Sequence, residues 1–187
     1  MIRIGLIGED PNDTKAIENL MRQKFDVGFH YKTISKNQRG SKMFGKNAVR
    51  SYNIELSSSA FNYVLVIVDA DAIITENAKL QEKKEKYKEL EKQLNCRCLL
   101  LLNIYELEAL ILADIAGFKD YYQTNITFKG SVAHVEKPKE FLQEKTGKKY
   151  KVSDCPTLFQ HLNFDTIANN CPYFKAFIAD FEKALKN

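Results

Sequence analysis

The sequence predicts an α/β fold, a parallel sheet flanked by helices, and two observations carry that prediction. Short apolar runs rich in β-branched residues recur, at Ile2–Ile7, Tyr63–Val68 and Cys98–Leu102, bounded by glycine, aspartate or asparagine. Runs of this length and composition read as strands buried on both faces. Helical patterns follow them, which is the alternation expected of crossover connections between parallel strands.

Taken in order, the first strand leads into Asp10-Pro11-Asn12-Asp13, a polar cap followed by proline, which marks the start of a helix. That helix is expected over Asn12–Lys24, with Ile17, Leu20, Met21 and Lys24 on its partly apolar face. A second strand is expected over His30–Ile34, then a basic loop, then a helix over Asn47–Ser58. The strand ending at Val68 is the clearest of all. Glu76–Leu94 reads as a charged cover helix whose buried face carries Leu80, Tyr87, Leu90 and Leu94, with lysine and glutamate at pairing distance elsewhere. After the strand at Cys98–Leu102, a helix is expected over Tyr105–Ala113. From Gly117 onward Pro138, Pro156 and Pro172 punctuate a mixed sequence, with short helices expected near 137–146, 156–162, 164–169 and 172–186. The organisation expected is thus an α/β domain over residues 1–115 and a helical extension over 116–187 packed on it.

Composition narrows the class. At 187 residues the chain is long enough to bury a substantial core. No apolar run approaches the roughly 20 residues needed to span a bilayer, and the amino terminus enters a strand without a secretory pattern. Cys96, Cys98, Cys155 and Cys171 lack the spacing of a disulfide framework, so reduced thiols in a cytoplasm are expected. Cys96-Arg97-Cys98 is too tight for a usual zinc pair.

The chemistry lies in the acids. Glu9-Asp10 follows the first strand and Asp69-Ala70-Asp71 follows a later one. Ligands of open parallel sheets bind beyond the carboxyl ends of the strands, so these carboxylates are expected at one edge. Their mutual repulsion there favours a divalent cation. With no histidine or cysteine beside them the donors are hard oxygens, which suit Mg²⁺ or Mn²⁺ rather than Zn²⁺. Glu106 and Glu108 sit near the end of another strand on an otherwise apolar segment; helix capping accounts for one acid there more readily than for two. Between Lys36 and Arg50 the chain carries Lys36, Arg39, Lys42, Lys46 and Arg50 and no acid, with Gly40 and Gly45 inside. Such a segment suits nucleic-acid phosphate contacts, and a solvated basic loop is the bland alternative. Magnesium beside a phosphate-binding segment points to phosphodiester hydrolysis or transfer.

Glu9 after the first strand, then Asp69-Ala70-Asp71 after a later one, resembles the Toprim pattern of topoisomerases, primases and overcoming-lysogenisation-defect nucleases. The resemblance is closest to a bacterial Toprim-like family linked to phage defence. Glu106–Asp114 is similar to that family's third signature, with Leu110 where tryptophan is common, and Val135–Leu142 is similar to a further segment. The resemblance implies a Rossmann-like Toprim sheet with Glu9, Asp69 and Asp71 around magnesium. It implies Glu9 as general acid or base and Glu106 or Glu108 as an accessory catalytic acid. It further implies nuclease activity and an ATPase partner protein.

Other readings stand beside it. A non-catalytic partner subunit can use the same scaffold, because fold does not fix function. A receiver-like phosphoacceptor domain accounts for Asp69 but lacks the lysine after its last strand and leaves Asp71 unused. A P-loop nucleotidase accounts for Gly40–Lys46, but Asn47 replaces the hydroxyl that holds magnesium.

Overall fold

In the computed structural model, which describes residues 1–34 and 40–186, the strands form one parallel sheet. Strand β1 (Ile2–Ile7) leads through Asp10 into helix α1 (Pro11–Arg22), then β2 (Phe29–Thr33) and α2 (Lys46–Ser58). Strand β3 (Tyr63–Asp69), α3 (Asn77–Gln93) and β4 (Cys98–Asn103) complete the sheet in the order β2-β1-β3-β4. Helices α4 (Glu108–Ala113), α5 (Ile115–Tyr122), α6 (Pro138–Lys145), α7 (Cys155–His161), α8 (Phe164–Asn170) and α9 (Pro172–Leu185) follow. The α/β class and the parallel sheet flanked by helices are as the sequence predicts.

Period-two alternation splits the strands between two cores. Ile4, Leu6, Leu65, Ile67 and Leu101 face one core, shared with Ile17, Leu20 and Met21 of α1 and with the carboxyl-terminal helices. Ile7, Val64, Val66, Val68 and Cys98 face the other, closed by Val49, Tyr52 and Leu56 of α2 and by Tyr87 and Leu90 of α3. Both faces are therefore covered, which is why the strands read as unbroken apolar runs.

The helices after residue 115 share the first core with the sheet. Phe118, Tyr150, Phe159, Phe174 and Phe181 are fully or almost fully buried in it. Burying one such aromatic side chain contributes roughly 2–3 kcal/mol. Polar contacts fix the same interface. Asn19 of α1 donates to the Pro156 carbonyl at 2.6 Å, and Gln23 donates to the Phe159 and Leu162 carbonyls while accepting from the Phe164 amide. Asn19 and Gln23 thus satisfy backbone groups at the ends of α7 and α8.

Two boundaries differ from expectation. Helix α5 lies in a stretch expected to lack it; buried Asp114 accepts from the Gly117 amide and caps its first turn. The helix expected from Tyr105 begins at Glu108 instead. Tyr105 holds φ +63°, a left-handed conformation that a helix cannot include. Glu106 therefore precedes the helix rather than lying in its first turn.

Candidate functional site

The carboxyl ends of β1, β3 and β4 set the candidate site. After β1, the Gly8 backbone closes on the first turn of α1, where a β-carbon at Gly8 would stand 2.8 Å from the Thr14 methyl. Asp10 caps α1 by accepting from the Asn12 amide at 2.8 Å. Glu9 accepts from the Gly40 amide at 2.9 Å, which holds Gly40 of the basic segment against the end of β1.

Asp69 ends β3 directly opposite Asn103, which ends β4. The Asn103 side-chain amide donates to Asp69 Oδ1 at 3.0 Å. Asn103 is fully buried, and its Oδ1 has no hydrogen-bond partner among the described residues. Burial pushes the Asp69 carboxyl well above the usual carboxylate range, and the charge of Asp13 pushes it further. The bond from Asn103 opposes that rise, while Glu108 and Glu9 add to it.

Asp13, in the first turn of α1, belongs to the same field. Its pKa is pushed up from 3.8 to about 7 by burial and by the charges of Glu108, Asp10 and Glu9. The sequence places Asp13 at the start of a helix, and its pattern alone does not announce this second role. One signal was present: Asp13 lies one helical turn beyond Glu9.

Glu108 is 5% exposed and accepts from the Tyr150 hydroxyl at 3.0 Å; that hydroxyl also lies 3.0 Å from Cys155 Sγ. Burial raises the Glu108 pKa, the charge of Glu106 raises it further, and the Tyr150 bond opposes both. Glu106 turns to Lys139 of α6 at 2.8 Å, leaving its Oε2 buried without a partner among the described residues. Of the two glutamates, Glu108 is the one whose charge reaches Asp13 and Asp69. Lys139 lies in the Val135–Leu142 stretch that resembles a further segment of the Toprim-like family, whereas Tyr150 carried no sequence signal; the packing of the extension brings both in.

Asp71 stands apart. Its side chain is 72% exposed and is held at 2.8 Å by Lys83 of α3, which also donates to the Asp69 carbonyl at 2.9 Å. Asp71 and Tyr105 both adopt left-handed backbone, φ +51° and +63°. They are tied together: the Asp71 amide donates to the Tyr105 carbonyl and the Tyr105 amide to the Ala72 carbonyl. Non-glycine residues held this way cost about 1–3 kcal/mol each and persist where surrounding contacts over-determine them.

Of the predicted phosphate-binding residues, Lys42, Lys46 and Arg50 are exposed, and none forms an ion pair with another described residue. Lys36 and Arg39 lie outside the described residues. The stretch resembling a P-loop forms a 3₁₀ turn over Gly40–Phe44, with the Gly45 amide bonded to the Lys42 carbonyl and the Gly40 amide bonded to Glu9. Two amides of that stretch are thus occupied within the protein.

The donor set matches a hard divalent cation in chemistry. Asp13 and Asp69 are carboxyls that burial and mutual repulsion drive toward the proton-bound form, a cost a divalent charge removes. They do not form a cage: among the described residues, no three Asp, Glu, His or Cys side chains are grouped so as to hold an ion. Magnesium needs no such cage, since it keeps several waters and binds proteins through one or two carboxylates.

Fold and site together define an α/β protein with a parallel Rossmann-like sheet whose carboxyl edge carries a partly buried acidic cluster. Residues 8–182 match the family described as Domain of unknown function (DUF4276), and the chain belongs to that family. No curated protein and no solved structure matches it. Among the described residues, no helix is long and apolar enough to cross a membrane.

Proposed function

We propose that the protein is a magnesium- or manganese-dependent nucleic-acid phosphodiesterase of Toprim type, acting in the cytoplasm in bacterial phage defence together with an ATPase partner. The observation that carries this reading is the shared field of Glu9, Asp13, Asp69 and Glu108 at the carboxyl edge of the sheet, with Glu9 bonded to the amide of Gly40, which precedes the exposed Lys42, Lys46 and Arg50. Asp69 and Asp13 would hold the cation, with Glu9 beside them. Bound there, the metal supplies charge neutralisation at the phosphate and a water of lowered pKa. Asn103 fixes the orientation of Asp69. Glu9, oriented by the Gly40 amide, serves as general acid or base. Glu108, when ionised, adds negative charge that makes Asp13 and Asp69 hold a cation more strongly. Lys42, Lys46 and Arg50 bind phosphates of the strand and position it. The free thiols of Cys96, Cys98, Cys155 and Cys171 accord with a reducing compartment.

The test is cleavage of single- and double-stranded DNA and RNA with Mg²⁺ or Mn²⁺, comparing the protein with Asp69→Asn and Glu9→Gln. Each substitution is expected to lower the rate by at least about 100-fold while thermal unfolding stays cooperative. Full activity in the double variant would remove the assignment. The engagement of Asp71 by Lys83 supports a second reading, a non-catalytic subunit on this scaffold. Metal-independent binding of nucleic acid without cleavage of any substrate would favour it.

A further inference from the structure

Among the described residues, the β4 edge of the sheet leaves backbone groups unpaired. Strand β4 is last in the sheet order. The Val64 amide bonds to the Arg97 carbonyl and the Ala70 amide to the Asn103 carbonyl, so the odd-numbered residues of β4 turn their amides and carbonyls toward β3. By alternation Cys98 and Leu100 turn theirs outward. Among the described residues, the outward amides and carbonyls of Cys98 and Leu100 meet no hydrogen-bond partner. Buried backbone groups are almost always paired, and an open sheet edge is a ready template for another strand.

The edge lies in a cleft of about 480 Å³ between α3 and α9. Leu99, Leu100 and Phe177 give it an apolar floor, and Lys84, Lys88 and Arg97 give it an exposed basic rim. On the α9 side Asp180 and Lys183 carry opposite charges and cancel. Charge decides the occupant. A second copy pairing through β4 would bring the same basic rim against itself, and like charges across an edge are the usual means of preventing self-pairing. A nucleic acid would be drawn to the rim, but it has no use for an apolar floor or for outward backbone groups.

We propose that the β4 edge is a docking site for an extended acidic segment of a partner protein. The segment adds to the sheet beside Cys98–Leu100, bonds to the outward backbone groups, lays apolar side chains on Leu99, Leu100 and Phe177, and sets its acids against Lys84, Lys88 and Arg97. This is strand addition, in which main-chain bonds supply affinity and alternate side chains supply choice. It rests on a different face from the acidic cluster, so its outcome is independent of catalysis.

The test is fluorescence anisotropy with a labelled peptide of alternating glutamate and valine. Controls are the same peptide N-methylated at alternate residues, its lysine–valine counterpart, and an oligothymidylate. Binding of the glutamate peptide is expected, with a loss of at least about tenfold on N-methylation and a similar loss in the Lys84→Glu/Lys88→Glu variant. These lysines are exposed, so circular dichroism of the variant should match the parent. Four results would overturn the proposal: no binding of the glutamate peptide, equal binding of the lysine peptide, indifference to N-methylation, or binding of the oligothymidylate alone. Sedimentation showing a dimer that the peptide cannot dissociate would assign the edge to a second copy instead.

Discussion

Asp13 sits in the first turn of α1, where an acid is favoured by the helix dipole, yet its neighbours turn that preference around. Burial and the charges of Glu108, Asp10 and Glu9 raise its pKa from 3.8 to about 7. The folded chain therefore binds this proton more tightly than the unfolded chain does. Between about pH 4 and about pH 7 the native state carries more protons, so stability falls as pH rises through that window. Asp13→Asn should make the fall shallower, the remainder belonging to Asp69 and Glu108, whose carboxyls are raised as well. In urea melts with chelator present, the variant should be more stable than the parent at about pH 8, by about 1–2 kcal/mol after discounting for the partial exposure of the site. At about pH 4 the two should agree within error. Adding Mn²⁺ at the higher pH should stabilise the parent and leave the variant less affected. A parent whose stability did not change with pH would show that Asp13 lies outside the acidic field.

At the scale of elements, Asp114 joins α4 to the helices beyond it. One oxygen accepts from the Gly117 amide at 3.3 Å to cap α5, and the other accepts from the Asn163 amide at 2.7 Å beside α8. A β-carbon at Gly117 would stand 2.6 Å from that carboxylate, so the chain approaches the cap closely only because no side chain intervenes. Asp114→Ala removes both acceptors from a buried position and is expected to cost about 2–3 kcal/mol, read as a lowered urea midpoint with an unchanged slope. Sequence patterning located most of the elements here. The buried run at Val64–Val68, the partly buried strand at Cys98–Leu102, the cap at Asp10, and the apolar face of α3 were all legible, because each depends on local period and local chemistry. The start of α4 was not. Tyr105 is left-handed because its amide and carbonyl are claimed by the loop after β3, a contact between residues some thirty positions apart. Likewise α5 depends on a cap whose second oxygen is held by Asn163, and no window around Gly117 contains that partner.

Over the whole molecule, the first core decides how the chain can be divided. Ile17, Leu20 and Met21 of α1 are fully buried against side chains that include Phe159, Phe174 and Phe181. A fragment ending at residue 115 would expose that face of α1 and of the sheet. It should show no cooperative unfolding transition and should bind a hydrophobic dye, whereas the full chain unfolds in one step. A cooperative transition in the fragment would mean that the α/β part folds alone.

The amino-acid sequence by itself determined the α/β class, the strands, most of the helices, and the delivery of Glu9 and Asp69 to the same edge of a parallel sheet. These follow from hydrophobic period, β-branched content and capping chemistry, which act over one or two turns of chain. The tertiary structure alone decided which acids share a field. It brought Asp13 and Glu108 toward Asp69, gave Asp71 to Lys83 and Glu106 to Lys139, and put Tyr150 on Glu108. Charge–charge coupling and desolvation depend on separation and burial in space, and neither quantity is written in the spacing of residues along a chain.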